Sequence, residues 1–277
     1  MSQTRQSKKV IPGFGLTMGI TMSYVGFFVL IPMISMALQA AQLSFKEIVQ
    51  VATDARVLSS YKVSFGCSFL AAAINVVFGT ILAWVLVRYR FPGRRLIDGL
   101  IELPFALPTA VAGIALTSLT TDKGWIGQPL SHLGISVAYT KVGIVTALTF
   151  ITLPFMVRSV QPVLEQLSPD YEEAGRTLGA GSFTIFRKIV LPELKPAVMT
   201  GFSLALARGL GEYGSVIFIA GNKPFQTEIA PLMIVTRLEE FLYGQATAVA
   251  MFMLFASFMI MFMVNRLQIR AARFVEN

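Results

Sequence analysis

Long apolar stretches without a charged residue recur along the chain, at 10–45, 63–87, 103–121, 142–157 and 241–265. A helix that crosses a bilayer needs about 20 mostly apolar residues. The runs therefore predict spanning helices at about 14–38, 63–87, 99–119 and 241–265. The stretch at 142–157 reaches spanning length if Arg158 snorkels to the interface and the helix continues towards Val163. A sixth apolar segment, Val190 to Gly221, is interrupted by Glu193, Lys195, Arg208 and Glu212. The expected fold class is all-α, a polytopic bundle of six membrane-spanning helices. The sequence shows no repeat period of the solenoid or carrier kind.

The residues between these runs refine the picture. The first helix contains Pro32, and the loop after it spaces Phe45, Ile48 and Val49 as one face of a helix lying on the membrane surface. The second helix ends at "RYRFPGRR", where adjacent Pro and Gly signal a turn. Pro104 and Pro108 near the start of the third remove backbone donors, which bends or breaks a helix. Such prolines persist in a span only where protein or water meets the freed carbonyls. Pro104, Pro108 and Thr109 are thus candidates to line a path on a kinked helix, the alternative being a kink that serves packing alone.

Composition supports a membrane protein: 55% hydrophobic and 14% charged residues with a mean hydropathy of +0.67, against about 25% charged in globular domains. A net charge of +8 is often a mark of nucleic-acid binding, but its location points elsewhere. With the N-terminus inside, fifteen of the 23 Lys and Arg flank the spans on the cytoplasmic side and seven lie outside. Positive residues stay preferentially inside, so both termini are expected in the cytoplasm. Arg5, Lys8 and Lys9 ahead of an apolar run resemble a secretory signal, but that run exceeds the usual 7–15 residues and no small-x-small site closes it. Cys67 stands alone in an apolar run and His132 alone in an outer loop, so neither a disulfide nor a metal motif is expected.

The polar stretch "YEEAGRTLGAGSFTIFRKIVLPELKP", residues 171–196, is out of place in such a chain. Ser168-Pro169-Asp170 is a helix start, and Leu164, Leu167, Tyr171, Ala174 and Leu178 follow at helical spacing as an apolar face. Gly179 to Gly181 break that helix. A second short one, with Phe183, Phe186, Ile189 and Val190 as its apolar face, leads to Pro192 and the fifth span. Two short helices meeting at a glycine make a knob suited to docking in a groove, or an amphipathic loop that rests on headgroups. Further on, Arg208 and Glu212 are four apart on one helix face. They are either an ion pair that keeps helices in register or a device in which Glu212 holds Arg208 beside an anion path. No Gly-Lys dipeptide occurs, so the phosphate-cradling loop of nucleotide hydrolases is absent. Gly209-x-Gly211-x-x-Gly214 matches a dinucleotide fingerprint, but it lies within an apolar span rather than after a strand.

"EEAGRTLGAGSFTIFRKIVLP" resembles the EAA loop of ATP-binding-cassette importer permeases: Glu173-Ala174-Gly175, then Gly179, then Ile189-Val190-Leu191-Pro192. Gly175 stands where the family usually has Ala. Together with "RYRFPGRRLIDGLIELPFALPTAVAGIAL" and "ARGLGEYGSVIFIAGNKPFQTEIAPLMI", it makes nearly the whole chain similar to the T-type subunits of sulfate/thiosulfate permeases. Molybdate permeases share the loop but are more distant at Pro108 to Gly113, where a second Pro is expected in place of Thr109.

The resemblance implies a type I importer permease with an N-terminal cytoplasmic tail, first transmembrane helix and outer loop at 1–58, a permease core at 59–265 and a cytoplasmic tail at 266–277. It implies coupling to an ATPase through Glu172, Glu173, Ala174, Gly175, Gly179, Ile189, Leu191 and Pro192. The implied partners are two ATPase copies, a W-type second permease and a periplasmic sulfate- or thiosulfate-binding protein, all around a chain embedded in the bilayer of the bacterial inner membrane. No nucleic acid is implied, and this chain has no cofactor of its own, ATP and Mg being bound by the ATPase. The rival readings are a permease for another oxyanion, a secondary carrier driven by an ion gradient, a scaffold subunit, and a membrane enzyme using Glu102, Arg208 and Glu212.

Overall fold

The computed structural model describes residues 14–273 of the 277-residue chain. The basic residues Arg5, Lys8 and Lys9 of the signal-like start, and the last residues of the expected tail, lie outside the described part. The helices, in chain order, are α1 (Phe14–Ala40), α2 (Phe45–Ala52), α3 (Ala55–Arg88), α4 (Arg94–Ala106), α5 (Thr109–Thr120), α6 (Gly127–His132), α7 (Lys141–Gln166), α8 (Asp170–Thr177), α9 (Ser182–Leu210), α10 (Val216–Ala220), α11 (Ala230–Glu239) and α12 (Tyr243–Arg273). Among the described residues there is no strand. Among the described residues five helices are long and apolar enough to cross a membrane, α1, α3, α7, α9 and the apolar part of α12, or six spans if the bent pair α4 and α5 counts as one.

The third expected span is not one helix. α4 and α5 meet at 116°, and the break falls at Leu107-Pro108. The ring of Pro108 excludes Leu107 from the helical region, and Leu107 is extended with ψ 137°. Pro104 sits buried inside α4 and does not break it. The fifth expected span also differs. It begins at Ser182, not after Pro192, and it ends at Leu210, with α10 a separate short helix.

Pro192 does not interrupt α9, and the same device serves Pro32 in α1. One wide turn precedes each proline, over Gly26–Leu30 and Phe186–Val190. There Ile31 N–H donates to Gly26 O and Leu191 N–H donates to Phe186 O, each skipping five residues. The wide turn re-registers the ladder around the missing donor.

α3, α7 and α9 pack along one another as the centre of the bundle. Gly79 of α3 and Gly201 of α9 press on Met156 of α7 from two sides. An added Cβ would lie 2.6 Å from Met156 Cγ at the first position and 2.8 Å from Met156 Sδ at the second. Small residues let apolar helices approach closely where burial from water gives no drive, and the flexible thioether fills the gap. Cys67 is buried in a cluster with Val63, Ala71, Ile144 and Leu148. Around this centre the rim is apolar and open, with Phe69, Phe78, Phe255 and Phe258 exposed. Such a surface suits lipid and not water.

A helix is present over the residues spaced at 45–49, as α2, beside α12. Ser44 and Glu47 form a reciprocal cap at its start: Ser44 N–H donates to Glu47 Oε2 at 2.7 Å and Glu47 N–H donates to Ser44 Oγ at 3.3 Å. The Ser44 hydroxyl, and then its backbone N–H, holds the Glu47 carboxyl below its ordinary value of 4.5. A carboxyl depressed in the folded state stabilises the fold above its ordinary pKa and loses that contribution on acidification. α2 should therefore fray as the pH falls below about 4.5. Amide protection factors at Glu47 and Ile48, corrected for the intrinsic rate, should fall there in wild type and show no such pH step in Glu47→Gln.

Candidate functional site

The polar segment folds at one end of the bundle. Ser168 Oγ donates to Asp170 Oδ2 at 2.9 Å, and Glu172 and Glu173 N–H donate to Pro169 O at 2.9 and 3.0 Å. Asp170, Glu172 and Glu173 fill the first turn of α8 and Arg176 its last, charges that complement the helix dipole. Gly179 closes α8 with φ +81° while Ala180 N–H reaches back to Gly175 O at 3.0 Å, the left-handed cap that glycine adopts without strain. No atom lies within 4 Å of a Cβ at Gly179. Its constraint is thus backbone conformation, not space.

α8 has two unlike faces. Glu172 and Gly175 are buried against the bundle, while Tyr171 and Leu178 are 60% and 88% exposed, and Phe183 at the start of α9 is 75% exposed. Glu173 and Ala174 are exposed beside them. The apolar positions expected to share one face therefore do not: from Tyr171 onward they stand outward. Leu164 belongs to α7 and is buried, and Leu167 N–H still bonds the α7 ladder at Val163 O. The chain turns at 167–169, so helical phase does not carry across. In the second expected helix Phe183 is likewise outside, and Ile185, not read as part of that face, is buried instead. Gly175 packs on Ile185 and Ile189, where a Cβ would lie 3.1 and 3.2 Å from their side-chain carbons. Leu191 and Pro192 are exposed.

Arg88, at the end of α3, fixes the inner face. Its Nε donates to Glu172 Oε1 at 2.9 Å, Nη1 to Leu164 O at 3.0 Å and Nη2 to Leu167 O at 2.9 Å. Both ionic side chains are largely buried. The guanidinium therefore caps the last carbonyls of α7, which have no partner in their own helix, and pairs α8 at the same time. Trp84, one turn earlier, lies 5.9 Å from Arg88 Cζ and meets the Phe186 ring edge-on at 5.5 Å. Three helices, α3, α7 and α8, meet at this one arginine, and Trp84 beside it adds α9 through Phe186. Sequence reasoning placed Arg88 only in a basic turn. Its pattern is no different from Arg90 or Arg94, and the sole available signal was Glu172, a carboxylate on what proved to be the buried face.

A second cluster lies where α9 ends. Arg208 Nη1 pairs with Glu212 Oε2 at 2.6 Å, and Glu212 Oε1 accepts from Ser215 N–H at 2.8 Å and Ser215 Oγ at 3.0 Å. Glu212 is 2% exposed. The two residues do not share a helix face as expected, because α9 stops at Leu210 and Glu212 lies in the following turn. α5 seats on that turn. A Cβ at Gly214 would strike Thr109 Oγ1, and one at Gly113 would lie 2.7 Å from Ser215 Cα. Thr109 thus joins the Arg208 and Glu212 region, whereas Pro104 stays inside α4. Glu102 does not join it, since it pairs with Arg158 at 2.6 Å, as does Asp98 at 2.9 Å. The cavity beside Glu212 and Ser68 is about 10 Å³, at the lower limit for a single water. The side of the cluster left open is that of Arg208, whose side chain is 33% exposed.

Comparison with known proteins follows the same lines. Residues 75–273 match the family described as binding-protein-dependent transport system inner membrane component. The chain is 49% identical over 96% of its length, and 96% of the relative's, to a protein named sulfate transport system permease protein CysT in Salmonella typhimurium. Identity is 48% with the same coverage for the protein of that name in Escherichia coli. Among solved structures, a bacterial transporter that imports the acidic polysaccharide alginate superposes with a TM-score of 0.77 at 17% identity, covering 93% of this chain and 96% of that one. A methionine transporter in an inward-facing conformation gives 0.58 at 18% identity, with 84% and 99% covered. At such identities the likeness is one of fold.

Proposed function

Because the chain belongs to the family of binding-protein-dependent transport system inner membrane components, we propose that it lines one side of the anion path of an ATP-driven sulfate or thiosulfate importer and is driven through α8. The chain is a multi-pass permease subunit, and ATP hydrolysis belongs to a separate chain. The assembly has two ATPase copies that bind ATP and Mg, a W-type second permease and a periplasmic sulfate- or thiosulfate-binding protein. Both termini face the cytoplasm of a bacterial cell, with a permease core at 59–265 between the segments 1–58 and 266–277.

The observation that carries this reading is the two-faced α8. Tyr171, Ala174, Leu178 and Phe183 present an apolar patch to water, which a helix in a partner's groove would cover, while Glu172 and Gly175 tie the same helix to the bundle. Glu173, Gly179, Ile189, Leu191 and Pro192 complete the coupling segment. A push on the outer face reaches α3 and α7 through Arg88, and the bundle changes which side of the membrane its path opens to. That path runs along the surface shared with the second permease, with Arg208 as its positive wall, Glu212 holding it, and Pro104, Pro108 and Thr109 shaping the bent helix pair beside it. The relatives' names support sulfate as cargo.

Proteoliposomes holding the full complex test the reading. Labelled sulfate should enter only with ATP at the ATPase side and binding protein at the other, and unlabelled thiosulfate should compete. Uptake driven by an ion gradient without ATP would overturn it.

A further inference from the structure

A crevice of about 550 Å³ opens between the Lys62 end of α3 and the Lys141 end of α7. It lies at the end of the bundle opposite α8, on a different face of α3 from Ser64 and Ser68, which line the small cavity beside Glu212. Lys62 is the last charged residue before the charge-free stretch 63–87, and Lys141 the last before 142–157. The two ammonium groups therefore stand at one level, where each helix passes from polar surroundings into the apolar layer. Both are exposed, and among the described residues neither forms an ion pair.

The wall above them is rigid. Phe225, at the lip, holds a left-handed backbone with φ +62°, a conformation that a bulky residue keeps only when its surroundings impose it. Ser59 Oγ donates to Phe225 O at 3.1 Å. Lys223 N–H donates to Thr227 Oγ1 at 3.0 Å. Arg56 fixes the loop's far end with two bonds to the buried Glu228, at 2.8 and 2.7 Å. Below the lysines the lining turns apolar, through Val63, Gly66 and Val145 down to Leu70. Nothing lies within 4 Å of a Cβ at Gly66, so that glycine leaves the groove open. Lys62 to Leu70 spans eight residues, about 12 Å of helix.

Two unpaired cations over an apolar groove match an amphipathic anion. We propose that this crevice binds an anionic phospholipid of the outer leaflet, its phosphate between Lys62 and Lys141 and the upper part of one acyl chain along Gly66 and Leu70. A free inorganic dianion shares the phosphate chemistry but fills only a corner of the crevice and has nothing to place on its apolar wall. The assignment to the outer leaflet rests on the orientation proposed above.

Native mass spectrometry of the complete importer, released from membranes containing phosphatidylglycerol and phosphatidylcholine, tests the site. Wild type should retain phosphatidylglycerol in preference to phosphatidylcholine. Retention should fall about ten-fold in Lys62→Gln/Lys141→Gln, and it should also fall in Gly66→Leu, which fills the groove and leaves both charges. Unchanged retention in these variants would overturn the proposal. So would release of the lipid by millimolar sulfate, which would mark the lysines as a site for free dianion, and so would a photo-cross-link from Val142 to the second permease, which would show a protein covering the face. ATP-driven sulfate uptake measured on the same preparations reads the transport function separately: lost uptake with retained lipid counts against the transport reading and leaves the lipid site standing.

Discussion

Replacing Arg88 by Gln should give an importer that still assembles and hydrolyses ATP but transports sulfate at a small fraction of the wild-type rate. Glu172 would be left buried without a counter-charge, a defect of about 3–5 kcal/mol when one member of a buried pair is removed. The carbonyls of Leu164 and Leu167 would lose their donors as well. The outer face of α8 is untouched by this change, so the patch proposed to dock the ATPase is kept. The inner face loses the bonds that tie α8 to α3 and α7, while the contact of Gly175 with Ile185 and Ile189 still holds it to α9. Arg88→Lys keeps the charge but not the planar fork that reaches a carboxylate and two carbonyls together, so it should fall between the two. The quantity to measure is ATP hydrolysed per sulfate imported, in reconstituted complex, against thermal stability of the same samples. Equal loss of hydrolysis and transport in step with stability would show a merely structural arginine.

Arg208→Ala should abolish sulfate uptake, and the single variant alone does not say why. It strands Glu212, which is buried and already accepts two hydrogen bonds from Ser215, and a destabilisation of about 3–5 kcal/mol follows from the unpaired charge. Arg208→Met/Glu212→Gln removes both charges while keeping side-chain volume and the amide oxygen facing Ser215. Replacing a buried pair by neutral groups is often close to neutral for stability. The double variant should therefore recover assembly and thermal stability but not uptake, because the path has lost its positive wall. Recovery of uptake along with stability would reduce the pair to a structural tie.

The membrane character and most of the long helices were legible because charge-free runs reach spanning length, and α8 because a start signal at Ser168 to Asp170 and the glycine at 179 bound it. What was not legible follows from three physical causes. The side on which α8 buries itself depends on a turn at 167–169 that resets helical phase, so Leu164 is buried while Tyr171 and Leu178, read as part of the same face, stand outward. The course of the chain at a proline depends on whether the helix can widen by one residue: Pro192 is absorbed in that way, and Pro108 breaks the span because it constrains Leu107. Partners set by tertiary contact leave no local trace, so Arg88, whose three bonds join helices far apart in sequence, looked like any other arginine of a basic turn. The Arg208 and Glu212 pairing was legible from spacing, but the end of α9 between them was not.

The most direct measurement is the mass of what a photo-reactive side chain at Leu178 captures in the working importer in a native membrane. Leu178 is almost fully exposed, and neighbouring residues can report in parallel from Phe183. Capture of the ATPase chain, strongest while sulfate uptake is under way, is the expected result. Capture of lipid alone by an importer that still transports sulfate would mean that α8 rests on the membrane and that the driving contact lies elsewhere.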